Sequence, residues 1–68
     1  YNGGNGIDGS NIDPASLPQI ILDYITQNYP NTTITEAEIE SNGNYEVSLS
    51  NDVELYFDQD GNFLSTGD

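Results

Sequence analysis

No lysine, arginine or histidine occurs anywhere in this 68-residue chain, yet it carries 12 aspartates and glutamates and a formal net charge of −12. An ordinary domain of this length holds about seventeen charged residues, about half of them basic. The unusual feature is therefore missing base, not surplus acid. Apart from its terminal amine, the chain has no group with which to form an internal salt bridge. It has no imidazole for proton transfer and no cationic side chain for phosphate. Nucleic acid and membrane surfaces are disfavoured as partners, because affinity for both comes from Lys and Arg. Cysteine is absent too, which removes disulfide staples and thiol nucleophiles and, without histidine, any ordinary zinc site. No apolar run approaches the ~18–20 residues that span a bilayer, and the apolar stretch over 19–25 is far too short. Positive charge must come from outside, as a cation, a basic protein or a basic peptide.

At this length only about 60% of the unfolded chain's surface can be buried, so one small domain of modest stability is expected. The first residue is Tyr1, as expected of an excised domain or a processed product. Residues 1–13 contain Gly3, Gly4, Gly6 and Gly9, with only Ile7 and Ile12 as aliphatic anchors. They read as a flexible lead-in or linker. The stretch Gly3-Gly4-Asn5-Gly6-Ile7-Asp8 also matches the start of a calcium-binding β-roll repeat. Ser10 then stands where a large apolar residue belongs, and only one copy is present, so the linker reading is preferred. The folded domain is expected over residues 14–66.

Within it, Ser16-Leu17-Pro18-Gln19 has the pattern of a capping box with proline in the first turn. Leu17, Ile21 and Ile25 recur every four residues, joined by Ile20 and Tyr24, and predict one apolar helical stripe. Pro30 stops the helix at about Tyr29, which seals its end. Ala37 and Ile39 then alternate with Glu36, Glu38 and Glu40, predicting a strand. Ile34 has the wrong parity for that strand, so either a bulge lies near Thr35 or Ile34 packs against the helix end. Turns at 41–44, at Asn51-Asp52 and at 58–62 separate Tyr45/Val47/Leu49, Val53/Leu55/Phe57 and a short Phe63-Leu64 strand. The expected fold class is α+β, with one N-terminal helix on one face of a three- to four-stranded antiparallel meander.

The ordered combination of Leu17-Pro18, the Ile21/Ile25 stripe, Tyr29-Pro30, Tyr45-Glu46-Val47-x-Leu49 and Glu54-Leu55-Tyr56-Phe57-Asp58-x-Asp60-Gly61-x-Phe63-Leu64 resembles the PepSY-like family. That family is also described as β-lactamase-inhibitor-like, and its members are exported proteins of Bacteroidetes. The resemblance covers about residues 16–65. It implies a helix packed on an antiparallel sheet, a periplasmic, cell-surface or secreted location, and a binding or regulatory role in place of catalysis. It supplies no catalytic residue, because the matching positions are core and turn positions. Two departures stand out. Members of the family carry lysines, and they often hold two units in tandem. A binding surface between units would here need a second tandem copy or a homodimer.

If the helix covers the face bearing Ala37, Ile39, Tyr45, Val47, Leu49, Val53, Leu55 and Phe57, the opposite face displays Glu36, Glu38, Glu40, Glu46 and Glu54 with Ser48 and Tyr56. Like charges on neighbouring strands repel, and no lysine interleaves to relieve them. Such a face suits a cation or a basic protein or peptide, with Tyr56 as an anchor and Glu46, Glu54, Ser48 and Glu38 around it. The plainer reading is a solvated surface whose charge prevents aggregation. The turn Asp58-Gln59-Asp60-Gly61-Asn62 invites weak Ca²⁺ binding through Asp58, Asp60 and Asn62. Aligned on an EF-hand, however, it puts Tyr56 and Gly67 at the two essential anchors. Aspartate bonding its local backbone accounts for the same residues. Nothing indicates a cleft that would set paired carboxylates at catalytic separation, so no enzyme and no tightly held cofactor are expected. The functional expectations are a non-catalytic interaction module, a Ca²⁺-responsive acidic module, or a structural spacer in a larger surface protein. Under all three, crowded carboxylates should take up protons more readily when folded, stabilising the fold as pH falls.

Overall fold

A computed structural model describes residues 9–67. Five strands, β1 (Gly9–Asn11), β2 (Ile34–Glu40), β3 (Tyr45–Leu49), β4 (Glu54–Phe57) and β5 (Phe63–Gly67), form one antiparallel sheet in the order β1-β2-β3-β4-β5. One helix, α1 (Gln19–Asn28), packs on one face. The α+β class and the meander follow the expectation, with five strands in place of three or four. The additional strand is β1, in the segment read as a lead-in: Gly9, Ser10 and Asn11 pair with Glu40, Ile39 and Glu38. The β-roll-like stretch 3–8 lies outside the described residues.

The helix starts later than a capping box at Ser16 predicts. Pro14–Ser16 is a 3-10 turn, capped by Asp13, whose Oδ1 accepts from the Ala15 N–H at 2.9 Å. Proline disfavours the helical conformation in the residue before it, and Leu17 is accordingly extended, with φ −66° and ψ 147°. The helix can begin only after Pro18, whose carbonyl accepts from the Ile21 and Leu22 N–H groups. The apolar stripe holds at Leu17, Ile21 and Ile25, all buried, but Ile20 lies outside it, 49% exposed. Ala37, Val47, Leu49, Leu55 and Phe57 meet the stripe from the sheet. Half-buried Tyr24 and Tyr29 pack against this core. Tyr24 meets Phe57 edge-on and stacks on Phe63, its ring centroid 4.8 Å away. The parity fault at Ile34 is a bulge: Ile34 pairs with Leu49 and Glu36 with Ser48, leaving Thr35 as the extra residue.

One loop design closes all three hairpins between β2 and β5. The first residue's N–H bonds the carbonyl four positions on, in the pairs Glu40 to Asn44, Leu49 to Val53 and Asp58 to Asn62. The fourth residue bonds back to the first and is left-handed: Gly43 at φ 91°, Asp52 at 71° and Gly61 at 91°. This is the three-residue loop with a bulge, which favours glycine at its left-handed position. A side-chain oxygen from Asn42, Asn51 or Asp58 accepts the last N–H of each loop. Asp52 is the one non-glycine in the left-handed role. Asp52→Gly is therefore expected to stabilise the domain by about 0.5–1 kcal/mol in urea unfolding. Asp52→Asn, which removes the charge but keeps a Cβ, should recover less.

Candidate functional site

Strand pairing brings the predicted residues together on the face away from α1. One row runs Asn11, Glu38, Glu46, Tyr56, Ser65 across the sheet, and the next runs Glu36, Ser48, Glu54, Gly67. Glu38 and Glu46 are direct cross-strand partners. Every member of the predicted cluster Tyr56, Glu46, Glu54, Ser48 and Glu38 is half-buried. All five glutamates of strands β2 to β4 share this face, and among the described residues no helix or strand covers it.

Without lysine, the repulsion is relieved by protons and neutral donors. The Tyr56 hydroxyl donates to Glu54 Oε1 at 2.9 Å. That bond, with burial and the charges of Glu46, Glu54 and Glu40, pushes the phenol up to about 12. The ring lies across β5 at Gly67, where a Cβ would stand 3.3 Å from Tyr56 Cε2. Burial is the largest influence on Glu46, followed by the charges of Glu54, Glu38 and Glu40 and a hydrogen bond shared with Glu54. Together they raise its carboxyl from 4.5 to about 7. Near neutral pH the Glu46 carboxyl therefore keeps its proton for much of the time. On the other flank, the Asn11 amide, oriented with its nitrogen toward the carboxylates, donates to Glu38 Oε2 and Glu36 Oε2, each at 3.1 Å. Asn11 was not among the residues singled out from the sequence. The Ser10-Asn11-Ile12 alternation was its only signal, hidden in a glycine-rich stretch.

The turn carrying Asp58, Asp60 and Asn62 sits apart from this face, at the end of the β4–β5 hairpin. Asp58 Oδ1 accepts from the Asp60 and Asn62 N–H groups at 2.9 and 2.8 Å, and Oδ2 accepts from the Asn62 amide at 3.2 Å. Backbone donation from Asn62 is the main cause of a lowered Asp58 carboxyl pKa. This carboxylate therefore holds the loop shut. Among the described residues no group of three or more His, Cys, Asp or Glu is arranged to hold a metal ion, and no helix is long and apolar enough to cross a membrane.

Comparison with known proteins agrees with the resemblance in the sequence. No curated protein matches the chain. A solved structure from Bacteroides thetaiotaomicron, described as a "putative calcium-regulated periplasmic protein", is 37% identical with a TM-score of 0.73. A second, a "putative periplasmic protein" from Bacteroides vulgatus, is 33% identical with a TM-score of 0.71. Each alignment covers 79% of this chain but 42% of the neighbour, so the chain spans less than half the length of either. Both neighbours are described as periplasmic, in line with the location expected from the resemblance. The model of the family described as "Putative beta-lactamase-inhibitor-like, PepSY-like" matches residues 6–65, and the chain belongs to that PepSY-like family.

Proposed function

We propose that this domain is a non-catalytic periplasmic interaction module that binds a positively charged protein or peptide through its acidic sheet face. The observation that carries this reading is the face itself: five glutamates gathered opposite the helix in a chain without one basic side chain. A uniformly acidic surface on a rigid sheet raises association rates by steering and selects against acidic competitors. With a short lysine-rich peptide as probe, the association rate is expected to fall steeply as NaCl rises. Tyr56→Ala and Glu46→Lys should each weaken binding severalfold. Binding indifferent to salt and to both substitutions would rule out the sheet face as the site.

A second reading is a Ca²⁺-responsive module, supported by the calcium-regulated description of the neighbour that is 37% identical. Its affinity would be of the extracellular type, about 10⁻⁴–10⁻³ M. Calorimetry decides. Saturable heat and a raised Tm, beyond what NaCl of matched ionic strength produces, are expected if Ca²⁺ binds, and their absence discards the reading.

A further inference from the structure

Carboxylates are distributed unevenly over the strands. The three inner strands carry Glu36, Glu38, Glu40, Glu46 and Glu54, while both edge strands, Gly9–Asn11 and Phe63–Gly67, carry no charge at all. Natural sheets usually do the reverse, placing charge or proline on their edges to prevent unwanted pairing. The three-residue β1 is guarded by its shortness, but β5 has five residues. A bulge at Leu64 marks its start, since Phe57 pairs with Phe63 and Tyr56 with Ser65. Beyond the bulge the edge is regular. Backbone groups alternate in direction along an antiparallel strand. The Asp58 N–H bonds toward Asn62, so Tyr56 and Glu54, two and four positions earlier, also face β5. Their partners Ser65 and Gly67 then face inward, and the N–H and carbonyl of Thr66 face out.

Among the described residues no further strand pairs with this edge, and two surfaces of opposite character flank it. On the acidic side lie Ser65 and Gly67, with the Tyr56 ring across Gly67 and its hydroxyl on Glu54. Near the bulge, Phe63 stacks on Tyr24 and remains 38% exposed beside Leu64, 51% exposed. A strand added to β5 would send alternate side chains to opposite faces. Those on the acidic face are suited by lysine or arginine, which can stack on Tyr56 and reach the carboxylates; those on the other face are suited by apolar residues.

Resting on the binding reading above, we propose that the partner is captured by strand addition at β5, as an extended segment in which basic and apolar residues alternate. Backbone pairing at Thr66 supplies the register, and the acidic face supplies the charge selection. A second copy of this chain fits less well, because pairing β5 to β5 would set two molecules of net charge −12 side by side.

The probe is a short synthetic peptide alternating lysine with valine, compared with a peptide of the same composition whose lysines form one block. The alternating peptide is expected to bind more tightly and to slow hydrogen exchange at the Thr66 amide. Thr66→Pro, which removes an outward N–H from an edge position where proline is tolerated, should weaken binding about tenfold. Should Thr66→Pro fail to fold, as judged by circular dichroism, Leu64→Lys serves as the second edge variant, with a loss of similar size. Salt-sensitive binding with Thr66 exchange unchanged and both edge variants silent would overturn strand addition while leaving the acidic-face reading standing. Failure of every cationic peptide to bind would overturn both. Thr66 protection in the absence of peptide, with a doubled mass in solution, would overturn the basic partner in favour of a second copy.

Discussion

Gly61→Ala is expected to destabilise the domain by about 3 kcal/mol, a large part of the stability available to a chain this small. Two separate costs combine. Gly61 sits at φ 91°, where an L-residue costs about 1–2 kcal/mol. An added Cβ would also clash with Ile20 Cγ2, and overpacking of that kind costs about 1–3 kcal/mol. Ile20 is branched at Cβ, so its γ2 methyl cannot swing clear without disturbing the rotamer. Urea unfolding of Gly61→Ala, Ile20→Ala and the double variant separates the two costs. Ile20→Ala should restore the steric part and leave the backbone part. Gly43→Ala serves as the reference: it has the same φ, but its Cβ would meet only the Gln59 side chain, at 3.3 Å. It should cost about 1–2 kcal/mol. Equal losses at Gly43 and Gly61 would show that the contact with Ile20 is unimportant.

The second large effect is on pH dependence, and it is expected to run against the usual acid lability. Glu46 binds its proton more tightly in the folded state, about 7 against 4.5. Stability from this group is therefore fully present below about 4.5 and is lost as pH rises through about 7. Taken at face value the difference is worth about 3 kcal/mol, which solvent screening of a half-exposed carboxylate reduces to about 1–2 kcal/mol. At about 4–8 °C per kcal/mol for a domain of this size, Tm should be about 5–10 °C higher at pH 5 than at pH 8 in low salt. Asp58 has the opposite sign. Its carboxyl pKa is lowered below 3.8 by loop N–H donors, so its contribution is present above that value and lost as pH falls through the folded one. Together the two groups place the stability maximum between about pH 4 and 5. Glu46→Gln, which keeps the shape and the hydrogen bond but not the charge, should flatten the profile between pH 5 and 8. Its Tm at pH 8 should approach that of the parent at pH 5. A parent Tm that rises from pH 5 to pH 8 would contradict the tighter proton binding of folded Glu46.

Asp58 also shows where reasoning from charge density fails. Crowding in a chain without base predicts raised carboxyl pKa values throughout, and at Glu46 that holds. At Asp58 the nearest groups are the N–H donors of its own hairpin loop, and these outweigh distant carboxylates because hydrogen bonding to the ionised form acts at contact range.

Much of the fold was legible because it rests on local periodicity. Alternation placed Val47, Leu49, Leu55 and Phe57 on the core face and Glu46 and Glu54 on the other. The four-residue spacing of Leu17, Ile21 and Ile25 marked the buried side of the helix, and all of these positions came out as read. The parity fault at Ile34 left a bulge near Thr35 or packing on the helix end as alternatives, and the register shows the bulge. Two local readings failed for local reasons: Pro18 displaced the helix start past the apparent capping box, and Ile20 turned out of the stripe toward Gly61.

What periodicity determined by itself was which side of each strand a residue faces, because a period of two is a property of a single extended segment. It thereby assigned five glutamates and Tyr56 to one surface before any pairing was known. Only the tertiary structure decided which of them touch. Strand register set Glu38 opposite Glu46 and placed Glu54 close enough to Glu46 to raise its pKa; it also laid Tyr56 over Gly67 and brought Asn11 to the carboxylates of β2. Register depends on loop length and on contacts between residues far apart in the chain. The sheet's order, and with it the uncharged edge at β5, arises at that same level.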